Sequence, residues 1–160
     1  MPDATVRPAR PADAEAMCAV QLRSWAGLDL DPTEVTIRWR EAVAAPPSPR
    51  HRVLVALEGV DVVGFAAFGP ALDEDLDPAT VAELYILVVD PDRRGAGHGS
   101  RLLAASIELL RTEGVITAVS WLRAGETGFA EQTGWAADGA RREVQANPPL
   151  AQVRLHTALL

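Results

Sequence analysis

The sequence contains no lysine; all fifteen of its basic residues are arginine. That absence excludes a Walker phosphate loop, a Schiff-base amine and a lysine nucleophile. Cysteine occurs once, at Cys18, so no internal disulfide can form and no thiolate spacing for structural zinc exists. A lone cysteine in such a chain reads as a small buried hydrophobe, and no metal site is expected. Tyrosine also occurs once, at Tyr85. No apolar run is long enough to span a membrane, and the opening Met1-Pro2-Asp3 lacks the basic and apolar segments of a signal peptide. The expectation is a cytoplasmic protein with no membrane partner. Basic charge is scarce as well: 15 Lys and Arg stand against 22 Asp and Glu, a formal net charge of −7. Such a balance argues against a nucleic-acid backbone as partner and is compatible with a cationic amine.

What is present suits one globular domain over residues 1–160, with 48% hydrophobic and 23% charged residues. Thr5–Arg7 reads as a first strand closed by Pro8. Pro11-Ala12-Asp13 opens a helix to about Trp25, and Asp31-Pro32 caps a second one carrying the stripe Val35, Trp39 and Val43. His51–Leu57 and Val62–Phe68 form a hairpin around Glu58-Gly59. Asp73–Asp77 is an acidic loop, either a solvated linker or a rim that attracts amines. Val81–Val89 is a strongly apolar strand. A helix from about Gly97 to Thr112 shows Leu102, Leu103, Ile107 and Leu110 on one face, with Gly114 just past its end. Val115–Leu122, a weak helix near Thr127–Thr133, and a terminal pair Trp135–Gln145 and Val153–Leu159 complete the chain. This order predicts an α/β fold with a mixed sheet and helices on both faces.

Chemistry concentrates in Asp90-Pro91-Asp92-Arg93-Arg94-Gly95-Ala96-Gly97-His98-Gly99-Ser100, between the apolar strand and the long helix. Alternating glycines let successive amides converge on a ligand, and the amides of a first helical turn, with the helix dipole, favour a phosphate or pyrophosphate. Arg93, Arg94 and Arg101 add positive charge. The dinucleotide fingerprint Gly-x-Gly-x-x-Gly does not fit, because the third glycine comes one residue early and a helical pair and a hairpin precede the loop. The pattern that remains is Arg/Gln-x-x-Gly-x-Gly/Ala, filled by Arg94, Gly97 and Gly99.

That loop resembles the pyrophosphate loop of the GNAT superfamily of acyl-CoA-dependent N-acetyltransferases. Val6–Asp13 is similar to the family's opening strand and helix start, Trp25 to a tryptophan after the first helix, Ala82–Pro91 to its fourth strand, and Gly134-Trp135 to the Gly-Phe/Trp after the fourth helix. The resemblance implies a mostly antiparallel sheet of about seven strands whose fourth and fifth strands splay apart. It implies acetyl-CoA as cofactor, its pantetheine arm on Leu87, Val88 and Val89. The pyrophosphate would rest on amides of Gly95, Ala96, Gly97, His98, Gly99 and Ser100, beside Arg94. The amide near Val88 or Val89 would face the thioester oxygen as an oxyanion donor. The acceptor would be a primary amine of a small molecule or peptide; a homodimer is left open. Relatives carry a tyrosine before the Gly-Phe that protonates the departing thiolate, whereas Phe129-Ala130-Glu131 has alanine there. Ala124-Gly125-Glu126 also stands where an asparagine is frequent.

An ammonium with a pKa near 10.4 must lose its proton before attack, so a base is required. Glu83 is the candidate, against the reading of an ordinary polar strand-end residue. Tyr85 is the candidate substrate contact or substitute acid, against simple packing. Strand alternation predicts Glu83, Tyr85, Leu87 and Val89 on one face. Trp121 and Trp135 either pack the core or line the acceptor cleft; His51 and His156 read as structural, and His98 contributes its backbone. A second reading comes from another class: an acyl-CoA-binding module with weak or no catalysis, acting as sensor or partner domain. A dinucleotide-binding oxidoreductase is a distant third.

Overall fold

The computed structural model describes residues 3–159. Strand β1 (Ala4–Pro8) leads through a short 3-10 turn into helix α1 (Ala14–Ser24), followed by helix α2 (Pro32–Ala44). Strands β2 (Arg52–Glu58), β3 (Asp61–Pro70) and β4 (Val81–Val89) form a meander. Helix α3 (His98–Thr112), strand β5 (Thr117–Arg123), the single-turn helix α4 (Gly128–Gln132), and strands β6 (Ala136–Val144) and β7 (Leu150–Ala158) follow. The seven strands make one sheet in the order β1-β2-β3-β4-β5-β7-β6. Every pairing is antiparallel except β4–β5. The expected mixed sheet is what forms, and no helix among the described residues is long and apolar enough to cross a membrane.

Two apolar layers hold it. On one face Leu102, Leu103 and Leu110 of α3 pack on Leu54, Ala66, Phe68, Ala82, Leu84, Ala118 and Leu155. On the other, Met17 and Val20 of α1 cover Val55, Leu57, Phe65 and Val88. Helix α2 is capped by the Asp31 carboxylate, which accepts from the Thr33 amide, with Pro32 at its first position. Its stripe is only half-buried: Trp39 meets Phe65 edge-on at 4.9 Å, and its Nε1–H donates to the Gln21 amide oxygen. The helix lies at the periphery, with no fully buried residue.

Strand β4 departs from strict alternation. Its pairing with β3 slips by one residue between Ile86↔Ala67 and Leu84↔Phe68, leaving Tyr85 as the extra residue of a β-bulge. Leu84, Leu87 and Val89 therefore pack on the α3 side, while Ile86 and Val88 pack on the α1 side. The expectation that Glu83, Tyr85, Leu87 and Val89 share one face is thus corrected. Glu83 lies between Ala82 and Leu84 and points away from them, to the α1 side. Tyr85 follows it there, since its ring stacks on His51 at 6.3 Å. The bulge divides β4 into two rows serving opposite faces.

Candidate active site

Strands β4 and β5 pair only over Val81–Glu83 and Thr117–Val119, then diverge. The wedge between them opens into a cavity of about 910 Å³ that passes through the sheet. On the α3 side it is lined by Leu87, Val89, Arg94, Gly95, Gly97, His98, Gly99, Ser100, Phe129 and Ala130. On the α1 side Ser24, Trp25, Tyr85, Trp121, Arg142 and Gln152 line it. Ten of the twelve candidate site residues thus face one space: Tyr85, Leu87, Val88, Val89, Arg94, Gly95, Gly97, His98, Gly99 and Ser100. Glu83 stands behind the lining, and Ala96 turns its carbonyl to Arg101 at 2.7 Å.

The loop is built to leave amides free. Asp90 caps the 3-10 turn Pro91–Arg93 by accepting from the Asp92 amide, and it is tied to α1 through Arg23. Gly97 then takes a left-handed conformation, φ +83°, which a side chain adopts only at a cost. From Gly95 to Ser100 the backbone amides donate to no acceptor among the described residues. This run includes the first turn of α3, where the helix dipole adds to the pull on an anion. The loop is held from beneath by Glu58, which ion-pairs with Arg93 and accepts from His98 Nε2 at 2.8 Å. Arg101 lies 3.2 Å from His98 Nδ1, and a guanidinium can only donate, so Nε2 carries the imidazole proton. His98, fully buried, thereby joins the loop to the end of β2. The His98 hydrogen bond first, and Arg93 second, hold the Glu58 carboxyl below the ordinary range.

The β4 edge facing the wedge lacks a strand partner beyond Glu83. Ser120, a buried residue of β5 that sequence reasoning passed over, donates to the Leu84 carbonyl at 2.8 Å. Ser24 donates to the Val89 carbonyl at 3.1 Å, fixing the end of α1 against β4. Both hydroxyls stand at the throat of the cavity. Ala130 borders it too, and its carbonyl accepts from the Trp135 amide, closing the turn after α4.

Glu83 is 5% exposed and sits just behind the cavity lining, its Oε1 3.4 Å from the Leu72 amide. Burial is the largest cause that pushes its carboxyl above the usual value. Asp73 adds to the rise, while the Leu72 amide, Arg142 and Arg154 oppose it. Tyr85 donates its hydroxyl to the Pro70 carbonyl at 2.6 Å, and burial followed by the charge of Glu83 pushes it up to about 12. A phenol so placed is neutral near pH 7, and its single proton is already committed.

Behind them lies an arrangement that sequence reasoning did not find. Arg154, 7% exposed on β7, is bound by Asp73, Asp75 and Asp138 at 2.6–2.9 Å. The acidic loop is therefore neither a bare linker nor a free rim, because two of its carboxylates clamp a buried arginine. Asp73 also accepts from Trp121 Nε1 at 2.8 Å, and the Arg142 guanidinium lies 4.3 Å over that indole. Trp121 thus belongs to the cleft, whereas Trp135 is buried in the core at its border. Nothing in the spacing of residues 73, 121, 142 and 154 announces this cluster; the β5–β7–β6 register brings it together.

Comparison with known proteins agrees with this architecture. The model of the acetyltransferase (GNAT) family matches residues 14–135. A mycothiol acetyltransferase of Sanguibacter keddieii is 34% identical over 119 residues, which are 71% of this chain and 36% of that protein. The chain thus spans little more than a third of that relative. Among solved structures, an N-acetyltransferase from Staphylococcus aureus superposes with a TM-score of 0.79 at 20% identity over 99% of both chains. A Salmonella typhimurium protein solved with its cofactor acetyl-CoA gives 0.72 at 20% identity, covering 98% of this chain and 94% of that one.

Proposed function

The chain belongs to the GNAT acetyltransferase family, and from that premise we propose that it moves an acetyl group from acetyl-CoA to the primary amine of a small molecule or peptide. Residues 1–160 are read as one domain for this task. The observation that carries the reading is the run of unpartnered amides from Gly95 to Ser100, opening on the same cavity as the partnerless edge of β4. A pyrophosphate fits the first and an extended amide-bearing arm fits the second; together they are the two chemical halves of coenzyme A. Arg94, exposed and in no ion pair among the described residues, adds charge at the loop.

The amine nitrogen attacks the thioester carbonyl carbon, the C–S bond breaks, and one amine proton ends on the departing thiol. Glu83 is the base, reached through a water because it lies behind the lining; its raised pKa brings it nearer the working pH, as base catalysis favours. The amide of Val88 or Val89 at the wedge is the donor to the thioester oxygen. Tyr85, committed to Pro70, holds the β3–β4 wall and orients the acceptor. A thiol with a pKa near that of cysteine, about 8.5, leaves with little help, so Ala130 in place of a tyrosine does not stop the reaction. The non-catalytic reading draws on Ala130 alone, while Glu83 and the open acceptor side favour turnover. Thermal shift with acetyl-CoA, NAD and ATP tests the cofactor; a ligand at 100 times its dissociation constant stabilises a fold by about 2.7 kcal/mol. An NAD shift as large as that of acetyl-CoA refutes the assignment. Thiol release with a panel of amines tests turnover.

A further inference from the structure

The acceptor side of the cleft is not uniformly acidic, although the protein as a whole is. With a net charge of −7, an acidic cleft for a polycation would be the simple expectation. Yet the charged side chains lining that side are Arg123, Arg142 and Glu126, the two arginines on the face of the sheet that carries Trp121. The neighbouring carboxylates are held in ion pairs. Asp73, Asp75 and Asp138 surround Arg154, and Glu126 pairs loosely with Arg123 at 3.7 Å. Arg142 is different. No carboxylate pairs with it among the described residues, and its only hydrogen bond runs from Nε to the Gln152 side chain at 2.8 Å. Its guanidinium lies 4.3 Å over the Trp121 ring at the open edge of the cavity, and its two terminal nitrogens have no hydrogen-bond partner among the described residues. A guanidinium held by its Nε and stacked on an indole is preorganised to grip a planar oxyanion with both remaining nitrogens.

We propose that the acceptor is an amine whose own molecule carries a carboxylate or similar oxyanion a short distance from the nitrogen, with Arg142 as the residue that reads that anion. The inference rests on the acetyl-transfer reading and narrows its acceptor. Arg142 lines the recess and buried Glu83 stands behind it, so the amine and the anion of one small molecule span base and arginine together. Two like charges meet if a polyamine enters instead, since its second ammonium lies against Arg142 and Arg123.

The test compares matched pairs with the intact protein and acetyl-CoA. Alanine, phenylalanine, glutamate and phosphinothricin are each assayed beside the corresponding amide or ester, with spermidine and an alanine-starting peptide in the same panel. Thiol release gives kcat and KM. The expected result is a preference for the free acid of roughly 10- to 100-fold in kcat/KM, the size of one charge-assisted contact. In Arg142→Gln the acid-to-amide ratio of kcat/KM falls to about one while the KM for acetyl-CoA stays in place. Turnover of both acceptors shifts together, because Arg142 no longer opposes the rise in the Glu83 pKa; Arg142→Lys restores part of the acid preference. Equal use of acid and amide, a preference for spermidine or the peptide, or unchanged discrimination in Arg142→Gln overturns the inference while leaving acetyl transfer intact. Failure of every amine, with acetyl-CoA still stabilising the fold, instead removes the transfer reading and this inference with it.

Discussion

On the α3 side the cleft is made of backbone: left-handed Gly97, the free amides up to Ser100, and the bare edge of β4. On the α1 side it is made of side chains from distant parts of the chain, with Glu83 and Arg154 buried and Trp121 and Arg142 at the surface of the recess. A backbone site recognises a group shared by many molecules and depends on chain geometry at a few consecutive residues. A side-chain site can be rewritten one residue at a time without disturbing the loop. One fold can thus keep its cofactor and exchange its acceptor.

The sharpest way to separate the halves is Glu83→Gln. Turnover is expected to fall about 10²–10⁴-fold, the usual worth of a general base, with acetyl-CoA binding unchanged. Glu83 must be ionised to accept a proton, so wild-type turnover rises with pH through its raised pKa, and that limb vanishes in the variant. Stability moves the other way. A carboxyl whose folded pKa is raised contributes stability below its unfolded pKa and loses it as pH rises through the folded one. Near pH 7 the glutamine variant therefore melts higher than wild type. A loss of acetyl-CoA binding in this variant would break the separation.

Next in size is Arg154→Ala. Three carboxylates lose a buried partner at once, and removing one member of such a cluster costs about 3 kcal/mol. Urea denaturation should show a lower midpoint with an unchanged slope, and a narrower gap from wild type in acid. Arg154 holds the Asp75 carboxyl below its ordinary value, and the stability this contributes is lost as pH falls through that lowered value. A variant as stable as wild type would mean that the cluster is a surface ornament.

The backbone half is probed by Gly99→Asp. A Cβ on Gly99 meets Phe129 at 3.5 Å and Val89 at 3.7 Å, ordinary contacts, so the fold survives. Its carboxylate enters the phosphate space, and affinity for acetyl-CoA should drop roughly 30- to 100-fold, the scale of one or two charge-assisted hydrogen bonds. Gly97→Asp is a poorer probe, since its positive φ and an Arg101 nitrogen only 2.9 Å from the added Cβ would disturb the loop itself. Normal binding by Gly99→Asp puts the pyrophosphate elsewhere. The smallest effect is expected from Ala130→Tyr. It restores a hydroxyl at the cavity border and should change turnover only a few-fold, because a thiol of pKa about 8.5 hardly needs an acid. Binding and turnover measured together would separate added acid catalysis from a blocked acyl pocket.

The two halves also differ in how far the sequence disclosed them. The loop was legible because its signal is local: glycines, arginines and a helix start lie within a dozen residues, after a strand whose bounds Val81 and Val89 were read correctly. The bulge at Tyr85 was not, because it arises from register against β3, and a single strand read alone alternates strictly. The acidic loop was visible as charge, but its role depends on Arg154, more than seventy residues later. Arg142 looked like any polar residue on an edge strand. Its meaning comes from Trp121 beneath it and from the lack of a carboxylate above.

The extra residue in β4 has a consequence for how this strand can change over time. It works like a dropped stitch, after which left and right exchange places in every following row. Pairing β4 with β3 regularly through Tyr85, with every residue kept, would turn Leu87 and Val89 towards the acceptor, with Val88 sent across to α3. Both chambers would then be furnished with each other's walls. Residues of β4 can be substituted singly at local cost, but the faces of Leu87, Val88 and Val89 hang on the irregular pairing with β3, so that misstep in the ladder is what keeps the two chambers distinct.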